Sequence, residues 1–258
     1  MADSYAAPGL LRQLWWRFQR VQPSEFACSG FDDLDHSLPA DVRSFVENSY
    51  PRNHTFVASG NQLLPKRKLV DRVARLSRHY PQPLDSLVDL SCSKGFFVFH
   101  AAMQPGCRRV MGVDLDEQCL TACQALNTRF ARQSRVNFAR LTLPEMAGRI
   151  DEFGGPFQVA LLVNTYQYLV FGSTVAPAAS HDHSEIFRLL RQVCSGRLIF
   201  HNRLSFADLQ SDPQERARQE GTGCVYEPGP IREAAARFFH VTPLDPWSRR
   251  PVWLLDAR

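Results

Sequence analysis

The chain has 258 residues, of which 44% are hydrophobic and 22% are charged. This composition excludes a disordered or fibrous protein and fits one large domain, with or without an appendage. Lys and Arg number 30 against 26 for Asp and Glu. The resulting net charge is too mild to indicate a polyanionic partner by itself.

Three features of the sequence predict a cytoplasmic protein without a membrane partner. No apolar stretch approaches the roughly 18 residues that a membrane-spanning helix needs. The start "MADSYAAPGL" lacks the basic and apolar regions of a leader peptide. The seven cysteines form no paired framework, which indicates reduced thiols.

Residues 1–83 are predicted to form an N-terminal helical cap that determines substrate specificity, without a convincing strand. Helical periodicity is present at 10–22, "LLRQLWWRFQRVQ", and again at about 65–80. The basic residues predicted to lie off the apolar face of the second helix are Lys68, Arg72, Arg75 and Arg78. Tryptophans and arginines interleave at 12–20, and together with the basic segment 66–78 they offer a surface for RNA. The alternative is that the tryptophans pack on the following domain while the arginines face solvent.

From residue 84 onward strand-like and helix-like segments alternate, which is typical of a mostly parallel sheet with helices on both faces. The predicted strands are 86–90, 109–115, 135–141, 157–163, 197–202, 239–244 and 251–257. The predicted helices are about 96–104, 116–132, 144–152, 183–194 and 230–238. Only "DPWSRR" separates the last two strands, which suffices for a hairpin but not for a crossover helix. The predicted fold is α/β, with a doubly wound, mostly parallel seven-stranded sheet that ends in an antiparallel hairpin.

The turn after the first strand, "DLSCSKG" at 89–95, contains small residues that let the backbone approach a ligand. It fits the dinucleotide pattern G-x-G-x-x-G poorly, because serines replace the first two glycines and Phe96 replaces the third. It resembles instead the first motif of the class I (Rossmann-like) methyltransferases that use S-adenosylmethionine. On that template Asp89 matches the acid, serines replace two glycines, and Gly95 matches the third glycine.

The resemblance continues beyond this turn. Asp114 ends the second strand, where the family has its ribose-binding acid. The run "FQVALLV" and the segment after it look like the family's fourth strand, and the terminal hairpin looks like its sixth and seventh strands. The resemblance therefore covers about residues 84–258 and leaves residues 1–83 unmatched.

The resemblance implies S-adenosyl-L-methionine as cofactor and assigns its contacts. Asp89 would hold the turn or the amino group of the methionine moiety, Asp114 would bind the ribose, and Leu115 would lie beside the adenine. The expected cofactor-binding set is Asp89, Ser91, Ser93, Gly95, Asp114, Leu115 and Asn164. Lys94 either pairs with the cofactor carboxylate or lies in solvent. No acid precedes Glu145 after the third strand, which weakens the expected adenine contact.

The segment "NTYQY" after the fourth strand borders the expected reaction space. It lacks the two prolines of enzymes that methylate amino groups of nucleic-acid bases, and Asn164 is not the Asp of ribose-methylating enzymes. It more closely resembles the same segment of small-molecule methyltransferases. The catalytic candidates are Tyr166, which either lines the acceptor pocket or shields the sheet end, and His201. His201 ends the fifth strand and is either a general base or an ordinary strand cap.

The segment "HDHSEIF" at 181–187 invites a metal interpretation, but a helix start explains it better. Asp182 is predicted as the N-cap and Glu185 as its partner in a capping box. Cys119 and Cys123 are likewise predicted to lie on the apolar stripe of one helix rather than to bind a metal. No metal is expected.

Two functions remain at the level of the sequence. The first is an S-adenosylmethionine-dependent methyltransferase that acts on a small-molecule acceptor, with RNA as the nearest variant. The second is a methyltransferase-like protein that has lost catalysis and serves as an adaptor for RNA or protein. Tight cofactor binding by the serine-substituted turn excludes the second function, and undetectable binding excludes the first.

Overall fold

The structure is a computed structural model, and it describes residues 26–176, 180–220, 226–248 and 250–258. The helix predicted at 10–22 and the candidate RNA-binding residues 12–20 lie outside the described residues. No helix within the described ranges is long and apolar enough to cross a membrane.

The strands form one large and one small sheet. They are β1 (Cys28–Ser29), β2 (Phe56–Ser59), β3 (Gln62–Pro65), β4 (Ser86–Asp89), β5 (Arg109–Val113), β6 (Val136–Ala139), β7 (Phe157–Val163), β8 (Cys194–His201), β9 (Phe239–Trp247) and β10 (Arg250–Ala257). The large sheet has seven strands in the order β6-β5-β4-β7-β8-β10-β9. Neighbours from β6 to β8 are parallel, whereas β10 runs antiparallel to both β8 and β9. The predicted parallel sheet with a terminal antiparallel hairpin is confirmed.

Four of the α-helices, at 34–37, 40–48, 166–171 and 211–220, were not predicted from the sequence pattern. The α-helices are α1 (Leu34–Ser37), α2 (Ala40–Asn48), α3 (Arg67–Ser77), α4 (Phe96–Ala102), α5 (Glu117–Asn127), α6 (Leu143–Gly148), α7 (Tyr166–Phe171), α8 (His183–Val193), α9 (Ser211–Glu220) and α10 (Pro228–Ala236). The helix α7 is too short to show a period, and α9, "SDPQERARQE", has almost no apolar residue to form a stripe.

The large sheet separates two apolar clusters. Side chains of a strand alternate between the two faces, so Leu87 and Leu161 join one cluster while Val88 and Leu162 join the other. Both faces are therefore buried, as a doubly wound parallel sheet requires. Because the parallel strands all end at the same edge, the loops after β4, β5, β7 and β8 meet there, where strand order reverses around β4.

The prediction of an N-terminal region without strands was wrong for its described part. β1, β3 and β2 form a three-stranded antiparallel sheet beside α1, α2 and α3. A two-residue loop joins β2 to β3, because Ser59 pairs with Gln62 and only Gly60 and Asn61 lie between them. Gly60 has a φ of 57°, which suits a tight hairpin turn. Apolar runs on both sides of a Gly-Asn pair were the sequence signal for this hairpin.

The N-terminal region packs directly on the large sheet's first helix layer. The ring of Phe31 lies 5.2 Å from that of Phe99 and 4.8 Å from that of Phe130. These rings belong to one apolar cluster that contains residues from both sides of the predicted boundary at residue 83. The division into 1–83 and 84–258 stays a prediction.

Candidate functional site

The first loop of the site follows β4 and is held by Asp89. Its side chain is buried, and Oδ1 accepts a hydrogen bond of 3.3 Å from the Ser91 N–H. Ser91 Oγ donates to the carbonyl of Val163 at 3.4 Å, which ties the loop to the end of β7. Asp89 thus holds the turn, one of the two roles expected for it. Burial raises its pKa to about 7.

Two residues of this loop adopt left-handed backbone. Ser93 has a φ of 48° and Gly95, which precedes α4, has a φ of 77°. A Cβ on Gly95 would lie 2.9 Å from Cys123 Sγ and 3.2 Å from the ring of Phe138. Glycine is therefore required at 95, because the backbone is left-handed there and no space is left for a Cβ. Serine at 93 adopts the same left-handed region at a cost in conformational free energy.

The second loop of the site begins at Asp114, which follows β5 and closes on the first loop. Its Oδ2 accepts a 2.7 Å hydrogen bond from the Ser93 N–H. Its Oδ1 accepts from the N–H groups of Leu115 at 2.8 Å and Asp116 at 3.1 Å. A carboxylate offers about four lone-pair directions, so Asp114 keeps capacity for a ligand hydroxyl. The structure brings the predicted cofactor residues of these two loops together.

Lys94 does not lie in solvent, which was one of the two positions expected for it. The side chain is 1% exposed, and its Nζ donates to the carbonyl of Ser49 at 2.8 Å. The Nζ also lies 5.5 Å from the centre of the Phe45 ring. Burial lowers the pKa of Lys94 to about 8. The lysine fastens the first loop to the N-terminal region.

The third loop follows β7 and is organised by a residue that sequence reasoning missed. Asn202 is buried, and its Oδ1 accepts from the N–H groups of Thr165 at 2.8 Å and Tyr166 at 2.9 Å. Its Nδ2 donates to the carbonyl of Leu162 at 2.7 Å. One amide thereby orients the turn that carries Asn164. Its position as the last residue of the fifth predicted strand was a usable signal, since that edge holds functional groups.

Asn164 itself lies at the edge where the cleft is expected. Its backbone is left-handed, with a φ of 61°, and its N–H donates to the carbonyl of His201 at 2.9 Å. Its Oδ1 accepts a 2.5 Å hydrogen bond from Nη1 of Arg250. No contact places Asn164 on the two cofactor loops, so its assignment to the cofactor stays a prediction.

The structure places Tyr166 in the core rather than in an acceptor pocket. The residue is 0% exposed, and its hydroxyl lies 2.8 Å from His183 Nδ1. Its ring packs among those of Phe187, Phe200 and Tyr226. The alternative that Tyr166 shields the end of the sheet fits this position, and a catalytic contact does not, because the hydroxyl is already bound in the interior.

His201 ends β8 at the same edge and has one free ring nitrogen. It is 1% exposed, its ring stacks on that of Trp247 at 4.8 Å, and Nε2 lies 3.3 Å from the Trp247 carbonyl. Because a carbonyl only accepts, Nε2 carries the proton and Nδ1 is the acceptor. That Nδ1 is buried without a hydrogen-bond partner among the described residues. Burial, with Arg72 and Arg250 nearby, lowers the pKa of His201 to about 4.

The low pKa of His201 predicts a measurable pH dependence of stability. The folded state favours the neutral ring, so this contribution is complete above the unfolded pKa near 6.5 and is lost as the pH falls towards 4. His201→Gln should flatten the decline of unfolding free energy below pH 6.5 by about 1.4 kcal/mol per pH unit. Urea unfolding between pH 5 and pH 7.5 measures it, with the exposed His240→Gln as control. An unchanged slope in His201→Gln would contradict the burial of this ring.

The predicted basic helix is only partly a solvent-exposed surface. Arg72 is 2% exposed, contrary to the prediction that it lies off the apolar face. Lys66 Nζ donates to the carbonyl of Glu47 at 2.6 Å. The exposed basic residues of 66–78 are Arg67, Lys68, Arg75 and Arg78.

Within the ranges that the structure describes, no group of three His, Cys, Asp or Glu residues could hold a metal ion. Asp182 caps α8 as predicted, accepting from the N–H groups of Ser184 and Glu185.

Comparison with known proteins decides the fold. No protein-family model and no curated protein matches the sequence. The N-terminal domain of EvdMO1 with SAH bound matches at 14% identity and a TM-score of 0.51, covering 84% of this chain and 93% of that chain. Geranyl diphosphate methyltransferase in complex with GPP and sinefungin matches at 13% identity and a TM-score of 0.51, covering 89% and 88%. The chain has the class I methyltransferase fold.

A longer protein also matches. It is the bifunctional kinase-methyltransferase WbdD, with 20% identity and a TM-score of 0.49. The match covers 72% of this chain and 38% of WbdD. The chain therefore spans less than half the length of that protein.

The loops of this class I fold fit S-adenosylmethionine at the methionine and ribose ends and less well at the adenine. Asp89 accepts one side-chain hydrogen bond and keeps capacity for the amino group. Asp114 keeps capacity for a ribose hydroxyl. Glu145, the first acid after β6, is already used: its Oε2 accepts from the N–H and the Oγ of Thr142, each at 2.7 Å, in a capping box at the start of α6. Leu115 follows Asp114 directly, and its place beside the adenine stays a prediction.

Proposed function

We propose that this protein is an S-adenosylmethionine-dependent methyltransferase that acts on a small-molecule acceptor. The observation that carries the proposal is the hydrogen bond from the Ser93 N–H to Asp114, which joins the first two loops at the sheet edge. It occurs in a chain with the class I methyltransferase fold. The loop keeps the left-handed geometry at Ser93 although serine replaces glycine there.

Charge at the loop also supports a cationic ligand. The carboxyl of Asp89 is buried, Asp114 lies close enough to raise its pKa further, and Arg72 lowers that pKa by a smaller amount. A sulfonium cofactor with an ammonium group would bring positive charge to these two carboxylates. Binding S-adenosylmethionine would therefore offset an unfavourable feature of the free protein.

The proposed contribution of the protein to the reaction is to align the methyl acceptor and to accept a hydrogen bond from it. Methyl transfer from a sulfonium is an in-line displacement, so alignment and exclusion of water are the main contributions of the protein. We assign to His201 Nδ1, the free acceptor nitrogen, a hydrogen bond from the nucleophilic hydroxyl or amine of the acceptor. A ring with a pKa of about 4 is a weak base at neutral pH. It suits an acceptor whose nucleophilic group keeps its proton until late in the transfer.

A small molecule is favoured over RNA by the state of the basic helix. Two of its six basic residues, Lys66 and Arg72, are engaged inside the protein. The remaining four exposed cations offer few phosphate contacts. If RNA were nonetheless bound, its affinity would fall steeply as salt rises.

The test of the cofactor assignment is the substitution Asp114→Ala. It should weaken binding of S-adenosylmethionine by about 1 to 3 kcal/mol, roughly tenfold to more than a hundredfold, because ligand hydroxyls lose their acceptor. Isothermal titration calorimetry measures the affinity. Asp114→Asn, which keeps one oxygen, should give a smaller loss.

The matched control is Glu117→Ala, since Glu117 is exposed at the start of the next helix and lies 3.5 Å from Arg140. Its affinity should equal that of the wild type. A urea midpoint for each variant establishes that the loops remain folded. Unchanged affinity in a folded Asp114→Ala protein would remove Asp114 from the cofactor site.

A further inference from the structure

Two arginines meet at the edge of the sheet where the acceptor is expected. Arg72 comes from α3, and its guanidinium lies 5.9 Å from the centre of the Trp247 ring. Arg250 begins β10, pairs with Trp247 across the hairpin, and donates from Nη1 to Asn164 Oδ1. The ring of His201 stacks on this same Trp247 ring. The N-terminal region and the terminal hairpin thus bring two guanidinium groups to one place.

The hydrogen-bonding capacity of these guanidinium groups is largely unused. Arg72 Nη1 donates to His54 Nε2, while the buried Nε of Arg72 has no partner among the described residues. The Nε of Arg203 is also buried without a partner there. A guanidinium offers five N–H donors, so several donors at this edge remain for a ligand.

No carboxylate of the described residues forms an ion pair with Arg72, Arg203 or Arg250. The ion pairs found there involve other arginines, at contacts of 4.0 Å or less. Burial and, to a smaller extent, the charge of Arg250 together lower the pKa of Arg72 to about 10, against a still smaller opposing effect of Asp89. The carboxylates that act on these arginines, Asp89 on Arg72 and Asp208 on Arg250, lie beyond ion-pair distance. Burying like charges without a directly paired counter-charge is unfavourable. Such a site is completed by an anion.

We propose that Arg72 and Arg250 bind an oxyanion of the methyl acceptor, a phosphate or a carboxylate. The planar fork of each guanidinium matches two oxygens of such a group. Both arginines lie close enough to His201 to act on its charge, so an acceptor held by its oxyanion would present a nearby hydroxyl or amine to Nδ1 of that ring. This assignment deepens the proposed function and rests on it.

Binding of simple oxyanions tests the site directly. Calorimetric titration of the full chain with inorganic pyrophosphate, inorganic phosphate and malonate, at constant ionic strength, should show binding of at least one of them. Arg72→Gln and Arg250→Gln should each weaken that binding about tenfold to a hundredfold, because a charge-assisted hydrogen bond is lost. Arg75→Gln is the matched control: Arg75 lies on the same helix, 5.6 Å from the same Trp247 ring, and is exposed. Its affinity should be that of the wild type.

Arg250→Gln keeps the test decisive if Arg72→Gln does not fold, because Arg250 is only partly buried. Absence of oxyanion binding in the wild type overturns the proposal. So does equal weakening in Arg75→Gln, which would indicate a diffuse charge effect.

Two adenosyl compounds separate the acceptor's oxyanion from the cofactor's own carboxylate. S-adenosylhomocysteine has the carboxylate, and methylthioadenosine lacks it. If the arginine variants weaken the binding of S-adenosylhomocysteine but not that of methylthioadenosine, the arginines bind the cofactor's carboxylate, and the proposal is overturned. Variants that no longer bind pyrophosphate but still bind S-adenosylhomocysteine support the proposal. Arginine-dependent oxyanion binding without any adenosyl binding would support the oxyanion site while refuting the proposed methyltransferase.

Discussion

Replacing Gly95 by alanine is expected to lower the free energy of unfolding by about 3 kcal/mol. The left-handed φ of 77° disfavours any L-side chain. The added Cβ would also lie 2.9 Å from Cys123 Sγ and 3.2 Å from two ring atoms of Phe138. Cys123 is buried, and Phe138 is partly buried against the same apolar cluster, so neither moves without cost. Urea unfolding followed by tryptophan fluorescence measures the change.

Gly148→Ala is the control for this substitution. Gly148 ends α6, and a Cβ there meets no atom within 4 Å. Alanine at that position should leave stability unchanged or raise it by up to about 1 kcal/mol, since glycine is a poor helix former. If Gly95→Ala were as stable as Gly148→Ala, the loop after β4 would not have the left-handed, closely packed form described above.

The second large effect is expected from Asn202→Ala, at about 3 kcal/mol of unfolding free energy. The substitution leaves the N–H groups of Thr165 and Tyr166 and the carbonyl of Leu162 without the bonds that Asn202 gives them. Unpaired buried polar groups each cost about 1 to 3 kcal/mol, and local relaxation recovers part of the sum. Thermal and urea unfolding both measure the loss.

Asn137→Ala is the matched control, because Asn137 is an exposed asparagine on a strand of the same sheet. Its stability should change by no more than about 0.5 kcal/mol. A further consequence concerns function: the turn that carries Asn164 should lose its geometry in Asn202→Ala even where the protein remains folded. An Asn202→Ala variant with wild-type stability would show that the Asn202 amide does not organise the third loop.

The sheet was predictable because its strands are buried on both faces and bounded by turn residues. The run from Phe157 to Val163 is apolar except for Gln158, and the observed strand has the same bounds as the predicted one. The short "DPWSRR" connection similarly determined the antiparallel hairpin. The N-terminal hairpin was missed because its strands have only four residues each, and the Gly60–Asn61 signal between them was not used.

The site was predictable only where backbone position decides it. Asp89 ends β4 and Asp114 directly follows β5, so their place at the sheet edge follows from the strand order. The burial of Arg72 depends on tertiary packing, yet a signal existed: Arg72 is three residues after Leu69 and four before Leu76, on the same helix face. Tyr166 was misplaced because it begins the short, unpredicted helix α7, which turns its ring into the core.

The measurement that tests the proposed function most directly is calorimetric titration of the wild-type chain with S-adenosylmethionine and S-adenosylhomocysteine, with NADH as control. The fit of the loops around Asp89 and Asp114 predicts micromolar binding of both adenosyl compounds and no binding of NADH. If neither adenosyl compound binds, the result would contradict the proposed function. It would mean that a class I methyltransferase fold serves here as a binding protein without this cofactor.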